Sequence, residues 1–173
     1  MACVLTQGLL LDCRDSFGGL KAVHIMEYDN ATTITQTTGV VSLITKATGK
    51  RFYKYNLIAH TGEGDESLSP SRDNGTVPNK QSVKFPINKM TVAVRNEILL
   101  LAQNRLLIVL EDENGCAWLY GKDYGLMLGA STAKTGKMLG DRNGYELHFD
   151  GDEKYLAPQV DAATLATLET PGT

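Results

Sequence analysis

Leu106-Leu107-Ile108-Val109-Leu110-Glu111-Asp112, the turn Glu113-Asn114-Gly115, and Cys116-Ala117-Trp118-Leu119-Tyr120 decide the fold of this chain. The apolar run is too short for a helix, and Asn-Gly supplies the positive φ that a tight turn requires. The segment therefore reads as a β-hairpin. Working back from it, Met90 to Asn104 carries the one strong helical signal, with Met90, Val94, Ile98 and Leu101 spaced by three or four and Asn88 or Thr91 available as a cap. That apolar stripe needs a sheet to lie on.

Further back, Leu20 to Tyr28, Thr32 to Gln36, Val40 to Thr45 and Arg51 to His60 are rich in β-branched and aromatic residues and are separated by turn residues. They predict a β-meander. Gly62 to Lys80 is the least hydrophobic stretch of the body and predicts an excursion from the core, with Asp73-Asn74-Gly75 as the turn of an extended hairpin. Val83 to Ile87 returns as a short strand, and Pro86 places it at an edge or strand end. Beyond the hairpin, Leu126 to Leu128 and Gly144 to Phe149 read as strands. The order strands, helix, strands predicts a mainly β fold, a β-sandwich or small barrel with one flanking α-helix. Residues 1–158 form a single domain with an extended loop at 62–80, and the Ala- and Thr-rich segment 159–173 reads as a flexible or assembly-ordered tail.

The chain has 173 residues, with 17 Lys or Arg against 20 Asp or Glu, for a formal charge of -3. At this length folding buries roughly 70% of the unfolded surface, enough for a core without staples. The acidic balance disfavours binding that rests on neutralising phosphates. Met1 to Gly8 shows no basic segment followed by an apolar run, which predicts a protein kept in a cytoplasm. No apolar stretch approaches the roughly 20 residues of a membrane span. Cys3, Cys13 and Cys116 lack a C-x-x-C spacing and read as reduced thiols, with Cys3 and Cys13 the pair an oxidising compartment would join.

Motifs of catalysis and ligation fail one by one. Ser131-Thr132-Ala133-Lys134-Thr135-Gly136 contains both S-x-x-K and K-T-G, but the chemistry needs two different lysines, and Lys134 would have to be both. A phosphate cradle at Gly129 to Met138 lacks the second Gly at Ser131 and the hydroxyl at Met138, so the segment reads as a flexible loop of small residues. His24, His60 and His148 fall on separate strands without zinc spacing. Asp112-Glu113-Asn114-Gly115 is too short a ligand set for calcium. Asp150, Asp152 and Glu153 read as a solvated acidic turn, and the interleaved Arg51-Phe52-Tyr53-Lys54-Tyr55 as a strand with one wet face rather than a base-stacking platform. The expectation is a non-enzymatic protein with no catalytic, cofactor-binding or metal residues, and no cofactor.

Several segments resemble virion structural proteins of crAss-like tailed bacteriophages. They are Ala2 to Gly8, Asp12 to Ser16 with Gly18-Gly19, Gly49 to Tyr53, Arg95 to Ala102, Trp118-Leu119, and Gly140 to Tyr145 continuing to Leu156-Ala157-Pro158. The resemblance covers most of the chain outside 62–80 and the tail. It implies a tail-tube-like sandwich and a tail ring or tube subunit, located in the virion and closing on copies of itself. Its further partners would be other tail or portal-proximal proteins, with DNA only in passage and no membrane. The helix would pack on the sandwich, the 62–80 excursion would reach a neighbour, and Glu63, Asp65 and Glu66 would be candidates for a DNA-repelling surface. A capsid decoration or head-fibre protein is the alternative, and a β-barrel hydrolase with catalytic carboxylates a more distant one.

Overall fold

A computed structural model describes Gly8 and residues 14–173. Eleven strands and two helices appear in the order β1 (Leu20–Glu27), β2 (Ala31–Thr37), β3 (Val40–Lys46), β4 (Tyr53–Asn56), β5 (Glu63–Leu68), β6 (Asn79–Asn88), α1 (Val92–Gln103), β7 (Leu106–Asp112), β8 (Ala117–Tyr120), β9 (Met127–Lys134), β10 (Gly144–Glu153), β11 (Gln159–Val160) and α2 (Ala162–Thr167). They form a seven-stranded sheet, β2-β3-β11-β8-β7-β1-β4, and a four-stranded sheet, β5-β6-β10-β9. The fold is mainly β, consistent with the expected sandwich and flanking helix.

The hairpin β7–β8 forms as its sequence predicts, with Ile108 opposite Tyr120 and Leu110 opposite Trp118. Asp112 closes the turn, its Oδ1 accepting the N–H groups of Asn114 at 2.9 Å and Cys116 at 2.8 Å. The unbroken apolar run of β7 has a structural cause. Leu106, Ile108 and Leu110 enter a core that includes Val83, Phe85, Leu147 and Phe149 of the four-stranded sheet. Leu107 and Val109 point the other way, into a second core with Met26, Phe52, Leu119 and Leu168. Both faces of β7 are covered, so no position along it stays polar until Glu111.

The four N-terminal strands do not form the expected meander. β1 is buried on both faces and lies between β7 and β4, whereas the exposed β2 pairs with β3 and takes the sheet edge. Burial decides the placement, because a strand apolar on both faces cannot stay at a solvated edge. The 62–80 segment forms the extended hairpin that its turn residues predict, but its first arm is part of the sheet rather than an excursion from it. Glu63–Leu68 is a regular edge strand in register with β6 from Glu63↔Lys84 to Leu68↔Asn79. Only Ser69–Pro78 loops out, around a Ser71↔Thr76 bridge with Gly75 at φ 63°. Pro86 lies past the last β5 partner of β6, where one flank of the strand has no ladder to interrupt. The helix starts two residues late, at Val92, with the Thr91 hydroxyl accepting the Val94 N–H at 3.2 Å.

The C-terminal segment, expected to be a loose tail, is built into the seven-stranded sheet. β11 pairs with β8 on one side and β3 on the other, and Asp161 caps α2 by accepting the Thr164 N–H at 2.6 Å. Leu168, 1% exposed, seals the second core. Lys46 Nζ donates to the carbonyls of Thr167 at 2.6 Å, Leu168 at 3.2 Å and Thr170 at 2.7 Å, placing a cation at the negative C-terminal end of the helix. The sparse apolar residues of this segment concealed its role; three of them, Val160, Leu165 and Leu168, suffice to cover the sheet.

Candidate functional site

The four-stranded sheet is the part of the molecule left incomplete. Its inner face packs Phe85 on Phe149, with ring centroids 5.7 Å apart, against β7 and α1, while its outer face meets solvent. Register aligns the outer side chains in rows, Asp65–Ser82–Asp150, Glu63–Lys84–His148–Ala130 and Pro86–Glu146–Thr132. Acidic Glu63, Asp65, Glu146, Asp150 and Asp152 stand on this face against Lys80, Lys84 and Lys134, so its charge is mildly negative. A shallow cleft of about 360 Å³ crosses it, floored by Lys84, Glu146 and His148 and walled by His60. His60 and His148, far apart in sequence, therefore line one cleft. His60 holds φ 62°, a left-handed conformation that costs a non-glycine residue energy. His24 lies elsewhere, buried in β1 with its Nε2 3.6 Å from Glu111.

Alternation divides the acids of β5. Glu63 and Asp65 face outward, Glu63 Oε1 meeting Lys84 Nζ at 2.9 Å. Glu66 turns inward: its Oε1 accepts Asn79 Nδ2 at 3.0 Å, Gln81 Nε2 at 2.9 Å and the Ala157 N–H at 2.7 Å, while Gln81 Oε1 accepts the Gly121 N–H at 2.9 Å. Glu66 is thus a structural tie, still exposed but on the opposite face of β5 from Glu63 and Asp65. Between them, Gly64 lies so close to Leu110 that a Cβ would approach its Cδ1 to 2.4 Å. A side chain there would force Leu110 to move.

The far edge, β9, begins at the Leu126–Leu128 strand that the sequence predicts but runs on to Lys134, an extension hidden because Gly129 to Thr135 is small, polar and poor in β-formers. The signal that could have found it lies in β10, whose clean alternation buries Tyr145, Leu147 and Phe149 and calls for a neighbour on each side. Ser131 and Lys134 are on a strand rather than in a loop, and three residues along a strand place them on opposite faces, which separates the S-x-x-K pair. The supposed phosphate cradle is filled from within, since Asp141 Oδ2 accepts the N–H groups of Lys137 at 2.8 Å and Met138 at 2.9 Å. Those hydrogen bonds hold the Asp141 carboxyl below its ordinary range. Gly129 sits at a bulge where a Cβ would strike Asp150 Oδ1.

The acidic turn also resolves residue by residue. Asp150 and Asp152 are on the outer face, whereas Glu153 is buried and accepts the N–H groups of Asp123, Tyr124 and Gly125 at 2.7, 2.9 and 3.2 Å. Burial pushes its carboxyl up despite those donors. Arg51 and Tyr53 stack on each other, 5.4 Å from guanidinium to ring, Phe52 is buried in the second core, and Tyr55 donates to Glu97 on α1 at 3.1 Å, so that segment is occupied in strand packing. Among the described residues, no three His, Cys, Asp or Glu converge to hold a metal, and no helix is long and apolar enough to cross a membrane. Cys116 is a free, half-buried thiol; Cys3 and Cys13, with the N-terminal part of the phage resemblance, fall outside the described residues. The chain matches no known family model, curated protein or solved structure.

Proposed function

We propose that the protein is a non-enzymatic structural subunit of a tailed-bacteriophage virion, a ring or tube-type tail protein that closes on copies of itself around the path of DNA. One observation carries the reading: the four-stranded sheet ends in two unlike open edges. β9 is eight residues long, exposed from Gly129 onward, and uncharged until Lys134. Such an edge is a template for another strand unless it is covered. β5 is acidic, with Glu63 and Asp65 on its outer face and Glu66 tied to Asn79, Gln81 and Ala157 on the other. Pairing two different edges of the same sheet is heterologous, and heterologous contacts close into rings when the rotation per subunit divides a full turn. The mildly acidic outer face of the sheet suits a surface that DNA passes without being held, and the phage resemblance of the described segments points to the same class.

Purified protein should show rings of one stoichiometry in negative-stain micrographs and a matching mass in mass photometry. Adding carboxylates to β9, as in Ala130→Glu with Thr132→Glu, sets like charge against β5 and should abolish rings, while the corresponding double lysine variant keeps them. A protein that stays monomeric at high concentration, or assembles equally well with either charge on β9, sinks this reading. Trimers in place of rings would favour a capsid decoration protein.

A further inference from the structure

The two ends of the four-stranded sheet carry apolar surface of opposite shape. At one end, the β9–β10 connection presents Met138 and Leu139, and Leu139 is the most exposed large apolar side chain among the described residues. The connection is a built turn. Asp141 Oδ2 accepts two of its N–H groups, Asp141 N–H donates to the Met138 carbonyl at 3.1 Å, and Gly136 holds φ 75°. The apolar pair is therefore displayed by a fixed scaffold. At the other end, a shallow, wide-open hollow of about 540 Å³ lies between Val77, Pro78, Tyr124 and Tyr155. Val77, Tyr124 and Tyr155 are each at least half exposed. Lys154 Nζ sits 5.1 Å from the Tyr124 ring centre and holds one wall of the hollow in place.

Charge favours the same match: Asp123 and Asp152 outnumber Lys154 around the hollow, and Lys137 beside the tip makes no ion pair among the described residues, nor does Asp123 or Asp152. The ten residues of β10 separate tip from hollow by about 30 Å, so the two cannot meet within one molecule. They can meet only between copies arranged head to tail.

We propose that Met138 and Leu139 of one copy seat in the Val77–Tyr124–Tyr155 hollow of a second copy, joining subunits end to end along the strand direction. The inference rests on the self-assembly reading above, to which it adds an axial contact beside the lateral one. A two-residue knob is a weak contact by itself, but a ring repeats it in every subunit, and simultaneous engagement multiplies the strength.

The test places a benzoylphenylalanine photocrosslinker at position 139 of the full chain, mixes it with isotope-labelled protein lacking the crosslinker, and maps the adducts by mass spectrometry. Adducts should connect the two isotopic forms and fall on Val77, Pro78, Tyr124 or Tyr155. Adducts elsewhere, or none between copies at the highest soluble concentration, overturn the proposal. Leu139→Asp should weaken end-to-end association at least tenfold in sedimentation velocity while single rings persist, and adding Asp152→Lys should recover part of it; stacking unchanged by Leu139→Asp also overturns it. The two readings fail separately. End-to-end chains with the expected adducts but no rings support this contact and sink the lateral one, whereas rings without those adducts do the reverse.

Discussion

The two sheets solve the same problem differently. The interior of the seven-stranded sheet is covered on both faces, by the four-stranded sheet and α1 on one side and by a second core that the C-terminal segment helps to close on the other, so its interior strand β7 is apolar almost throughout. The four-stranded sheet is covered on one face only, and it alternates, with Val83, Phe85, Leu147 and Phe149 inward and Lys84, Glu146 and His148 outward. The first sheet spends its surface on stability. The second keeps a wet face, an acidic edge and a small-residue edge, and the assembly proposal rests on those two edges.

Removing apolar volume from the doubly covered sheet should break the contrast most severely. Leu107 is fully buried and meets the second core, so Leu107→Ala is expected to cost about 2–5 kcal/mol in urea unfolding. Leu168→Ala, in the same core, should cost a comparable amount, and the pair should be non-additive because each leaves its space beside the other. A Leu168→Ala variant as stable as the parent would show that the tail does not cover the sheet.

A smaller effect is expected at the seam of the four-stranded sheet. Glu66→Ala strips the acceptor from Gln81 Nε2 and the Ala157 N–H, and should cost about 1–3 kcal/mol. Hydrogen exchange should then quicken in β5 and β6 while β7 and β8 stay protected. Uniform quickening would mean that the two sheets do not differ in local stability.

The least effect should be a pH slope. Burial, aided by Lys54, holds the His24 imidazole below its ordinary 6.5 despite the nearby Glu111 and Glu169. In acid the unfolded chain therefore takes up this proton before the native one does, so stability declines as pH falls through 6.5 toward the native value. Both His24 nitrogens lack a hydrogen-bond partner, so His24→Leu should flatten the decline between pH 7 and 5 without unfolding the protein. An unchanged slope in that variant would place the titration elsewhere.

How much was legible follows the same division. Elements buried by their own pattern were readable: β7–β8 from an apolar run and an Asn-Gly turn, α1 from its three-four spacing and Thr91 cap, β10 from strict alternation. Elements that owe their place to a neighbour were not. β9 has little apolar content and exists because β10 offers an unpaired flank; β11 and α2 are held by Lys46, β3 and β8; and Glu66 differs from Glu63 and Asp65 only in which face of β5 it meets. The surfaces behind the assembly proposals were half legible, since the acidity of 62–80 shows in the sequence but its partner edge and the end hollow do not.

By itself, then, the sequence determined the class of fold, because hydrophobic period and turn chemistry act over a few neighbouring residues. Strand order, the docking of the C-terminal segment, the placing of His60 and His148 on one cleft and the inward turn of Glu66 were decided only in three dimensions. They depend on which strand flank remains unpaired and which face remains uncovered once the cores have closed, and those quantities have no local signature in the chain.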